Sequence, residues 1–337
     1  MMKIEIQDLF EAMQKASKGV NWKPSIQLYK MFGLKNLLKL QKKLINGEPI
    51  HKYFIEFNIS ERGKTRHIKA CSFEERIAQH WFCDKILNPR IQPTLIYHNG
   101  ASIPGKGVRF AKNELAKHLR KHYLHYKTEG YCLQIDFSKY FDNISHEKVY
   151  EILKKYIPEE EYMKLLKDFI QPFSKDGKGL GLGSQVSQTI ALVYPNKLDH
   201  YCKEQLKIKG YGRYMDDIYL LHRSKKYLKF CLEKIKEICA ELEIKINPIK
   251  TKIVKIKDGI VFLKTKFKLT DTGKILQFAD SSTFKRERIR LKKFFKFLTR
   301  KQIIENYKSW RGSISSQFNS YKKLKEMDLY LKDKLEV

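Results

Sequence analysis

Two adjacent acidic residues stand between two short apolar runs in the segment Arg213-Tyr-Met-Asp-Asp-Ile-Tyr-Leu-Leu221. The apolar runs have the length and composition of the arms of a β-hairpin, which places Asp216 and Asp217 at its tip. Neighbouring carboxylates repel each other unless they face solvent or share a cation. A divalent metal ion is a suitable cation. The segment therefore predicts two paired strands with a metal site at the turn.

The chain also carries a large positive charge. Its 337 residues include 68 Lys and Arg against 37 Asp and Glu, which gives a net charge of +31. Such an excess destabilises a compact fold by self-repulsion unless a polyanion is near. Nucleic acid is the first candidate partner, and an anionic membrane surface is the second. An AT-rich genome that favours Lys codons explains part of the lysine count. Such genomes favour Glu to a similar degree, however, and Glu does not balance the lysines here.

Composition limits the remaining classes of protein. The length suffices for two or three structural units around a sizeable core. A hydrophobic content of 42%, with 20 Phe and 19 Tyr, excludes a disordered chain. The six cysteines show no two-residue spacing and predict buried free thiols in a reducing compartment. No apolar run reaches the ~18 residues of a membrane span, and the N-terminus does not resemble a signal peptide. We therefore expect a cytoplasmic protein with no membrane partner.

The order of predicted elements favours an α+β fold, because helices and strands alternate without a regular βαβ repeat. A hairpin is expected around Glu61-Arg62-Gly63-Lys64, and the C-terminal tail is expected to be helical and basic. The other predicted elements, by residue number, are helices at 1–50, 73–88, 108–126, 146–156, 159–170, 185–205 and 225–243, a strand at 131–136, a hairpin at 211–223 and a strand pair near 252–268.

A third carboxylate lies 80 residues before the acidic pair. Asp136 ends the apolar run Tyr131-Cys-Leu-Gln-Ile-Asp136, where a carboxylate is awkward unless it binds something. A helix cap or turn residue is the structural alternative. Three carboxylates on two neighbouring strands are what a two-metal phosphoryl-transfer site needs, and Mg²⁺ takes oxygen ligands.

Five motifs in this order resemble those of reverse transcriptases of the bacterial or retroelement kind. They are Asp136 with the aromatic pair Tyr140-Phe141, Gly181-Leu-Gly-Ser-Gln-Val-Ser-Gln188, Tyr214-Met-Asp-Asp217, Asn247-Pro-Ile-Lys-Thr251 and the primer-grip-like Val261-Phe-Leu-Lys264. The resemblance runs from about residue 35 to 325. It implies a right-hand polymerase with an N-terminal extension and fingers at 1–130, a palm of antiparallel sheet and helices at 131–270, and a short helical thumb at 271–337.

The resemblance also implies roles for single residues. Asp136, Asp216, Asp217 and the backbone of Phe137 would hold two Mg²⁺ ions, with Mn²⁺ as an alternative. Lys250 is a candidate general acid, although a plain phosphate or surface contact is an equal alternative. Phe141 falls at the steric gate that excludes the ribose 2′-OH, or else it simply packs in the palm. The remaining nucleotide-binding candidates are Lys64, Arg66, Leu182, Gly183 and Gln188. Lys64 could instead be a solvated turn lysine.

One departure narrows the branch of the family. Leu182 replaces the polar residue of the common loop motif, and Gln188 replaces its proline. The Leu-Gly-x-x-x-Ser-Gln form is similar to the enzymes of diversity-generating retroelements and to related phage and antiviral-defence enzymes. The expected partners are an RNA template, most simply a structured noncoding RNA, together with a DNA primer or product, dNTPs and an accessory protein.

Two rival functions remain open at this stage. An untemplated or protein-primed DNA polymerase would use the same acids. A non-catalytic RNA-binding scaffold with a retired polymerase fold predicts the loss of a metal-binding acid, yet Asp136, Asp216 and Asp217 are all present. The basic tail suits either function: between Phe284 and Lys301 it has nine Lys or Arg against one Glu, with apolar residues at helical spacing.

Overall fold

A computed structural model describes residues 3–61, 64–279, 281–315 and 320–335. For Glu61, Lys64 and Ser281 only the backbone is described. The tip of the predicted fingers hairpin, Arg62 and Gly63, lies outside these ranges.

The N-terminal part consists of amphipathic helices around one long hairpin. Ser72 begins a helix by accepting a hydrogen bond from the Glu75 N–H, as N-cap residues do. Gly47 ends another with a left-handed φ of +65°, a conformation that glycine adopts without strain. The elements are α1 (Ile6–Ser17), α2 (Pro24–Met31), α3 (Gly33–Asn46), β1 (Phe54–Glu61), β2 (Lys64–Cys71), α4 (Phe73–Phe82), α5 (Asn88–Ile91) and α6 (Val108–Tyr126).

A four-stranded antiparallel sheet forms the centre of the molecule. Its strands are β3 (Tyr131–Asp136), β4 (Gly210–Tyr214), β5 (Asp217–His222) and β6 (Lys252–Lys255), in the order β4-β5-β3-β6. The predicted strand and the predicted hairpin are both confirmed. Helices accompany this sheet: α7 (Tyr140–Asn143), α8 (His146–Lys154), α9 (Glu160–Ile170), α10 (Gln185–Val193), α11 (Asn196–His200) and α12 (Lys225–Glu241).

The single helix predicted at 185–205 is wrong in one respect. Helix α10 ends at Val193, and α11 begins after Pro195, followed by a π-helical turn at Tyr201–Gln205. Proline has no N–H to donate and its ring clashes with the preceding turn, so a continuous helix breaks there. The apolar periodicity on both sides concealed this break.

A second sheet precedes the C-terminal helices. It contains β7 (Ile260–Phe262), β8 (Thr265–Leu269) and β9 (Ile275–Ala279) in sequence order. The strand pair expected near 252–268 is therefore divided, because β6 pairs with β3 instead, and β9 was not predicted. Three helices follow: α13 (Ser281–Phe297), α14 (Arg300–Ser315) and α15 (Ser320–Leu335).

Three apolar clusters stabilise these parts. The largest joins the N-terminal helices to one face of the central sheet and its helices. A second lies between α6, the central sheet and the β7–β8–β9 sheet. A third is confined to α13–α15, around Leu291, Tyr307 and Met327. The mixture of helices and antiparallel sheets confirms the α+β class.

One prediction from composition has a direct structural counterpart. All six cysteines are buried free thiols, as expected. In the part of the chain that the structure describes, no helix combines the length and the apolar character needed to cross a bilayer.

Candidate active site

The register of the central sheet brings two of the predicted acids together. Strands β3 and β5 are antiparallel, with Asp136 directly opposite Asp217. Directly opposed residues in an antiparallel pair lie about 5 Å apart at their Cα atoms. Asp216 occupies the two-residue turn between β4 and β5, beside Met215, whose φ is +53°. A left-handed non-glycine residue is unusual and marks a turn that its surroundings impose.

A buried arginine imposes this turn, and sequence reasoning missed it. The Arg213 guanidinium is fully buried and donates to both carboxylate oxygens of Asp199 at 2.7–2.9 Å. It also donates to the Met215 carbonyl at 3.2 Å and to the Leu192 carbonyl at 2.7 Å. The five donors of a guanidinium permit such simultaneous bonding. Arg213 therefore ties the turn that carries Asp216 to α10 and α11.

The acids form a strongly negative site. Burial and the neighbouring Asp216 and Asp136 raise the pKa of Asp217 from 3.8 to about 7. Burial and Asp136 likewise raise the pKa of Asp216. Carboxylates that raise one another's pKa in this way favour a nearby cation.

Lys250 supplies one such cation. Its ammonium donates to both oxygens of Asp136, at 2.8 and 2.6 Å. Burial acts to lower the pKa of Lys250, but the hydrogen bonds to Asp136 and the charges of Asp216 and Asp217 outweigh it and raise that pKa. This lysine was predicted from its motif, and the structure brings it to the acids.

A turn in the Asn247-Pro-Ile-Lys segment positions Lys250. The Asn247 side-chain oxygen accepts hydrogen bonds from the N–H groups of Ile249 and Lys250 at 3.1 and 3.2 Å, which is an Asx turn. Its side-chain amide donates to the Asp136 carboxylate, and its own N–H donates to the Asp136 carbonyl at 2.8 Å. Asn247 was not among the predicted site residues.

The three acidic side chains offer the type of ligand atom that Mg²⁺ binds. Asp136, Asp216 and Asp217 offer the hard oxygen ligands that this ion requires. Within the described residues, no three Asp, Glu, His or Cys side chains converge closely enough to form a complete metal site as they stand. The group nearest the Asp136 carboxylate is the Lys250 ammonium, which a metal ion bound to Asp136 would compete with.

The predicted nucleotide-binding loop lies between the palm helices and the fingers hairpin. Gly183 has a φ of +102°, and a side chain at this position would point towards Ile68 of β2. Leu182 is half-buried, whereas Gln188 is exposed and accepts a hydrogen bond from the Ser102 hydroxyl at 3.4 Å. The loop therefore faces the inner end of the hairpin.

A buried glutamine holds this loop from behind. The Gln79 side-chain oxygen accepts hydrogen bonds from the Ser184 hydroxyl and the Gln185 N–H, at 3.0 and 3.2 Å. Its amide donates to Glu75, which lies one turn earlier on α4. Ser184 in turn caps α10. Nothing in the sequence around Gln79 distinguished it, because the two loop residues that it accepts from, Ser184 and Gln185, lie more than a hundred positions away.

The two predicted phenylalanines occupy different environments. The Phe137 side chain is buried, at 2% exposure, so only its backbone is available to the site. Phe141 is half-buried, and its carbonyl accepts a hydrogen bond from the Leu180 N–H at 2.8 Å. That bond connects the steric-gate position to the beginning of the nucleotide-binding loop.

The fingers hairpin carries the remaining candidates. Arg66 is exposed opposite Ile59, and its positive charge acts to lower the pKa of Asp216. It therefore lies within electrostatic reach of the acids. Lys64 is the first residue of β2, and its side chain is outside the described part.

The hairpin that resembles a primer grip borders the acids. Leu263 and Lys264 form its turn with φ values of +45° and +63°. The Gln134 amide on β3 donates to the Val261 carbonyl. A cavity between the two sheets is lined by Asp136, Asp217, Lys250, Val261 and Leu263, among others. The hairpin is thus placed beside Asp136 and Asp217.

Comparison with known proteins decides the family. The family model described as reverse transcriptase (RNA-dependent DNA polymerase) matches residues 60–269, which is more than half of the chain. The chain belongs to the reverse transcriptase family. The expected enzyme class, RNA-directed DNA polymerase, is confirmed at the level of this family. Among curated protein sequences, none matches the chain significantly.

Solved structures show the same fold. Telomerase from Candida albicans in complex with a TWJ fragment of telomeric RNA aligns with a TM-score of 0.52 at 13% identity, over 91% of this reverse transcriptase and 62% of the telomerase chain. Apo telomerase from Candida tropicalis, truncated from its C-terminal domain, aligns with a TM-score of 0.51 at 11% identity. The alignment covers 73% of this chain and 60% of the telomerase chain. The reverse transcriptase thus spans about three fifths of the length of these telomerases. The predicted polymerase fold is confirmed.

Proposed function

We propose that this reverse transcriptase extends a primer hydroxyl with dNTPs along an RNA template by two-metal nucleotidyl transfer. The observation that carries the proposal is the placement of Asp136 opposite Asp217, with Asp216 in a turn that Arg213 fixes. A site of this kind holds its carboxylates rigidly before substrate arrives, which lowers the reorganisation needed for reaction.

Asp136, Asp216 and the backbone of Phe137 would hold the ions, with Asp217 as an additional ligand. Two Mg²⁺ ions, or Mn²⁺ in their place, supply Lewis-acid stabilisation of the attacking hydroxyl and of the leaving pyrophosphate. Lys250, which donates to Asp136, would supply an ammonium that could protonate the pyrophosphate. The Asn247 turn keeps its ammonium near the reacting groups.

The nucleotide would lie between the loop and the fingers hairpin. Phe141 would exclude a ribose 2′-OH, and Leu182, Gly183 and Gln188 would line the base and sugar. Lys64 and Arg66 would contact the triphosphate, for which the guanidinium fork of arginine is suited. This arrangement gives residues 1–130 the role of N-terminal extension and fingers, residues 131–270 the role of palm, and residues 271–337 the role of thumb.

We further propose a structured noncoding RNA as the template, with a DNA primer or product and an accessory protein as partners. The Leu182 and Gln188 form of the loop supports the branch of diversity-generating retroelement and antiviral-defence enzymes. The charge of +31 supports a lasting association with RNA.

Primer extension on RNA templates of different sequence tests the polymerase function. Wild type is expected to make DNA complementary to each template, and Asp216→Ala is expected to abolish synthesis while RNA binding persists. Asp258→Ala, which removes an exposed acid outside the site, is the matched control. Products that are independent of template sequence would indicate the untemplated or protein-primed alternative. RNA binding without synthesis by the wild type would indicate the scaffold.

A further inference from the structure

The N-terminal helices contain a stretch without any acidic residue. From Ala12 to Gly47 the sequence has eight lysines and no Asp or Glu. Helices α2 and α3 lie in this stretch. The stretch also exposes apolar and aromatic side chains, among them Trp22 at 72%, just before α2, and Leu34 at 68%, on α3. This unit has no part in the catalytic site described above.

A groove separates this unit from the inner end of the fingers hairpin. We call it the basic groove, lined by Lys23, Tyr29, Lys39, Lys43, Lys52 and Tyr53. Glu74 also lines it and pairs with Lys43 and Lys52. Lys23 and Lys39 are exposed and make no ion pair with any residue that the structure describes. The groove therefore keeps unbalanced positive charge.

The groove continues along one face of the hairpin towards the acids. Side chains alternate between the two faces of a strand, so Tyr53, Ile55, Phe57 and Ile59 share one face. They are 44–58% exposed. Arg66 is opposite Ile59 on this same face. Ile68, opposite Phe57 on that face, lies 3.7 Å from where a Cβ would stand at Gly183 of the loop beside the acids. An exposed apolar track thus connects the basic groove to the active site.

Lysines combined with exposed rings fit a single-stranded nucleic acid. The lysines neutralise phosphates, and aromatic faces stack on unpaired bases with little regard to sequence. An acidic protein would satisfy the charge but would leave Tyr53 and Trp22 without a specific role. The exposed strand face also has the extended shape of a nucleic-acid track.

We infer that the basic groove binds the single-stranded part of the RNA template before it enters the active site. The identification of the RNA as template rests on the proposed function, but the binding itself can be measured without catalysis. Strand β1 has 8 residues, about 27 Å at ~3.4 Å per residue. That length corresponds to about eight nucleotides at the ~3.4 Å spacing of nucleotides along one strand of a duplex.

Binding of two primer–template duplexes tests the inference. Both share one DNA primer, and the labelled RNA template has a 5′ overhang of about 2 or about 20 nucleotides, one shorter and one longer than the track. Wild type is expected to bind the long overhang more tightly. In Lys23→Glu/Lys39→Glu this advantage should disappear, and the slope of log affinity against log salt for the long overhang should fall by about 1.4. Tyr53→Leu should weaken the affinity for the long overhang by about fivefold.

The control variant is Lys226→Glu/Lys229→Glu, which reverses two exposed lysines on α12. It should keep the advantage of the long overhang. Affinity for the short overhang and primer extension on it should stay within about twofold in the groove variant. A groove variant that retains the long-overhang advantage would overturn the inference. The inference would also be overturned if the groove variant lost binding to phosphatidylserine vesicles while its RNA binding stayed unchanged. That result would assign the groove to a membrane.

Crosslinking provides a measurement that needs no variant. The long overhang carries 4-thiouridine, and crosslinked peptides of wild type are identified by mass spectrometry. Crosslinks at 22–57 support the inference, and their absence there contradicts it. A chain that binds the overhang in this way but makes no DNA would refute the proposed function and leave the RNA-binding groove intact.

Discussion

At the scale of single residues, the geometry of the candidate active site depends on side chains outside the acidic motif. Asp199 accepts from the Arg213 guanidinium and from the Tyr211 hydroxyl, the latter at 2.6 Å. Both ends of the Arg213–Asp199 ion pair are fully buried. Removing one member of a buried pair leaves an uncompensated charge in a low-dielectric interior.

Asp199→Asn should therefore lower the free energy of unfolding by about 3–5 kcal/mol, measured by urea denaturation. Asp328 provides a matched control, because it also accepts from an arginine and a tyrosine, Arg311 and Tyr307, but is partly exposed. Asp328→Asn should cost about 1 kcal/mol or less. Equal losses of unfolding free energy in the two variants would show that burial does not determine how much the Arg213–Asp199 pair contributes to stability.

Lys250 and a metal ion compete for the same carboxylate. Lys250→Ala should tighten Mn²⁺ binding to the protein without substrate by about fivefold, since a half-exposed ion pair is worth about 1 kcal/mol. Electron paramagnetic resonance of free Mn²⁺ measures this directly. Lys257→Ala, an exposed lysine after β6, should leave the affinity unchanged. Weaker Mn²⁺ binding in Lys250→Ala would mean that the lysine helps to form the metal site.

At the scale of elements, helix α4 and the predicted nucleotide-binding loop are joined through Gln79. This residue is 1% exposed, and its side-chain oxygen accepts from both Ser184 and Gln185. Because these donors are at the beginning of α10, the bonds fix where the loop ends. Leu182 and Gly183 immediately precede them.

Gln79→Leu should raise the KM for dNTPs more than it lowers kcat, because it loosens the loop and leaves the acids in place. It should also cost about 1–3 kcal/mol of stability, since a buried hydroxyl and a buried N–H lose their acceptor. Steady-state kinetics and urea denaturation test both parts. Gln14→Leu, on the exposed side of α1, is the control. An unchanged KM would show that the loop is positioned by other contacts.

At the scale of the whole molecule, the basic residues are concentrated on particular surfaces. Helix α13 presents exposed Lys and Arg outward while Leu291 packs inside the C-terminal cluster. The same polarity is found on α3 near the other end of the chain, where Lys35, Lys39 and Lys42 are exposed and Leu37 and Leu40 are buried. Each of these two basic surfaces corresponds to one proposed nucleic-acid region: the product duplex at the thumb and the single strand at the basic groove.

Arg286→Glu/Lys293→Glu on α13 should lower affinity for an RNA–DNA duplex and reduce its salt slope by about 1.8, at about 0.9 per lost phosphate contact. Fluorescence anisotropy over a salt series measures the slope. Lys226→Glu/Lys229→Glu on α12 serves again as the control. A slope reduced equally by both pairs would show that net charge, and not the α13 surface, governs duplex binding.

Much of the fold could be predicted because its signals are local. The two short apolar runs of Arg213–Leu221, the apolar run before Asp136 and the basic helical segment 108–126 each predict an element from their own residues. The break at Pro195 and the strand β9 were missed. The first lay within a strong helical pattern, and the second is a short strand whose existence depends on pairing with β8.

The sequence by itself determined the order of the three carboxylates and the motif lysine Lys250, and these local motifs predict the kind of chemistry. Only the tertiary structure decided how they are held. The Arg213–Asp199 pair, the Asn247 turn and the Gln79 bridge join residues 14, 111 and 105 positions apart. Such contacts leave no periodic or motif signal, because they depend on how β3, β5, α4 and α10 pack rather than on any one segment. The basic groove likewise exists only once α2, α3 and the hairpin are folded side by side.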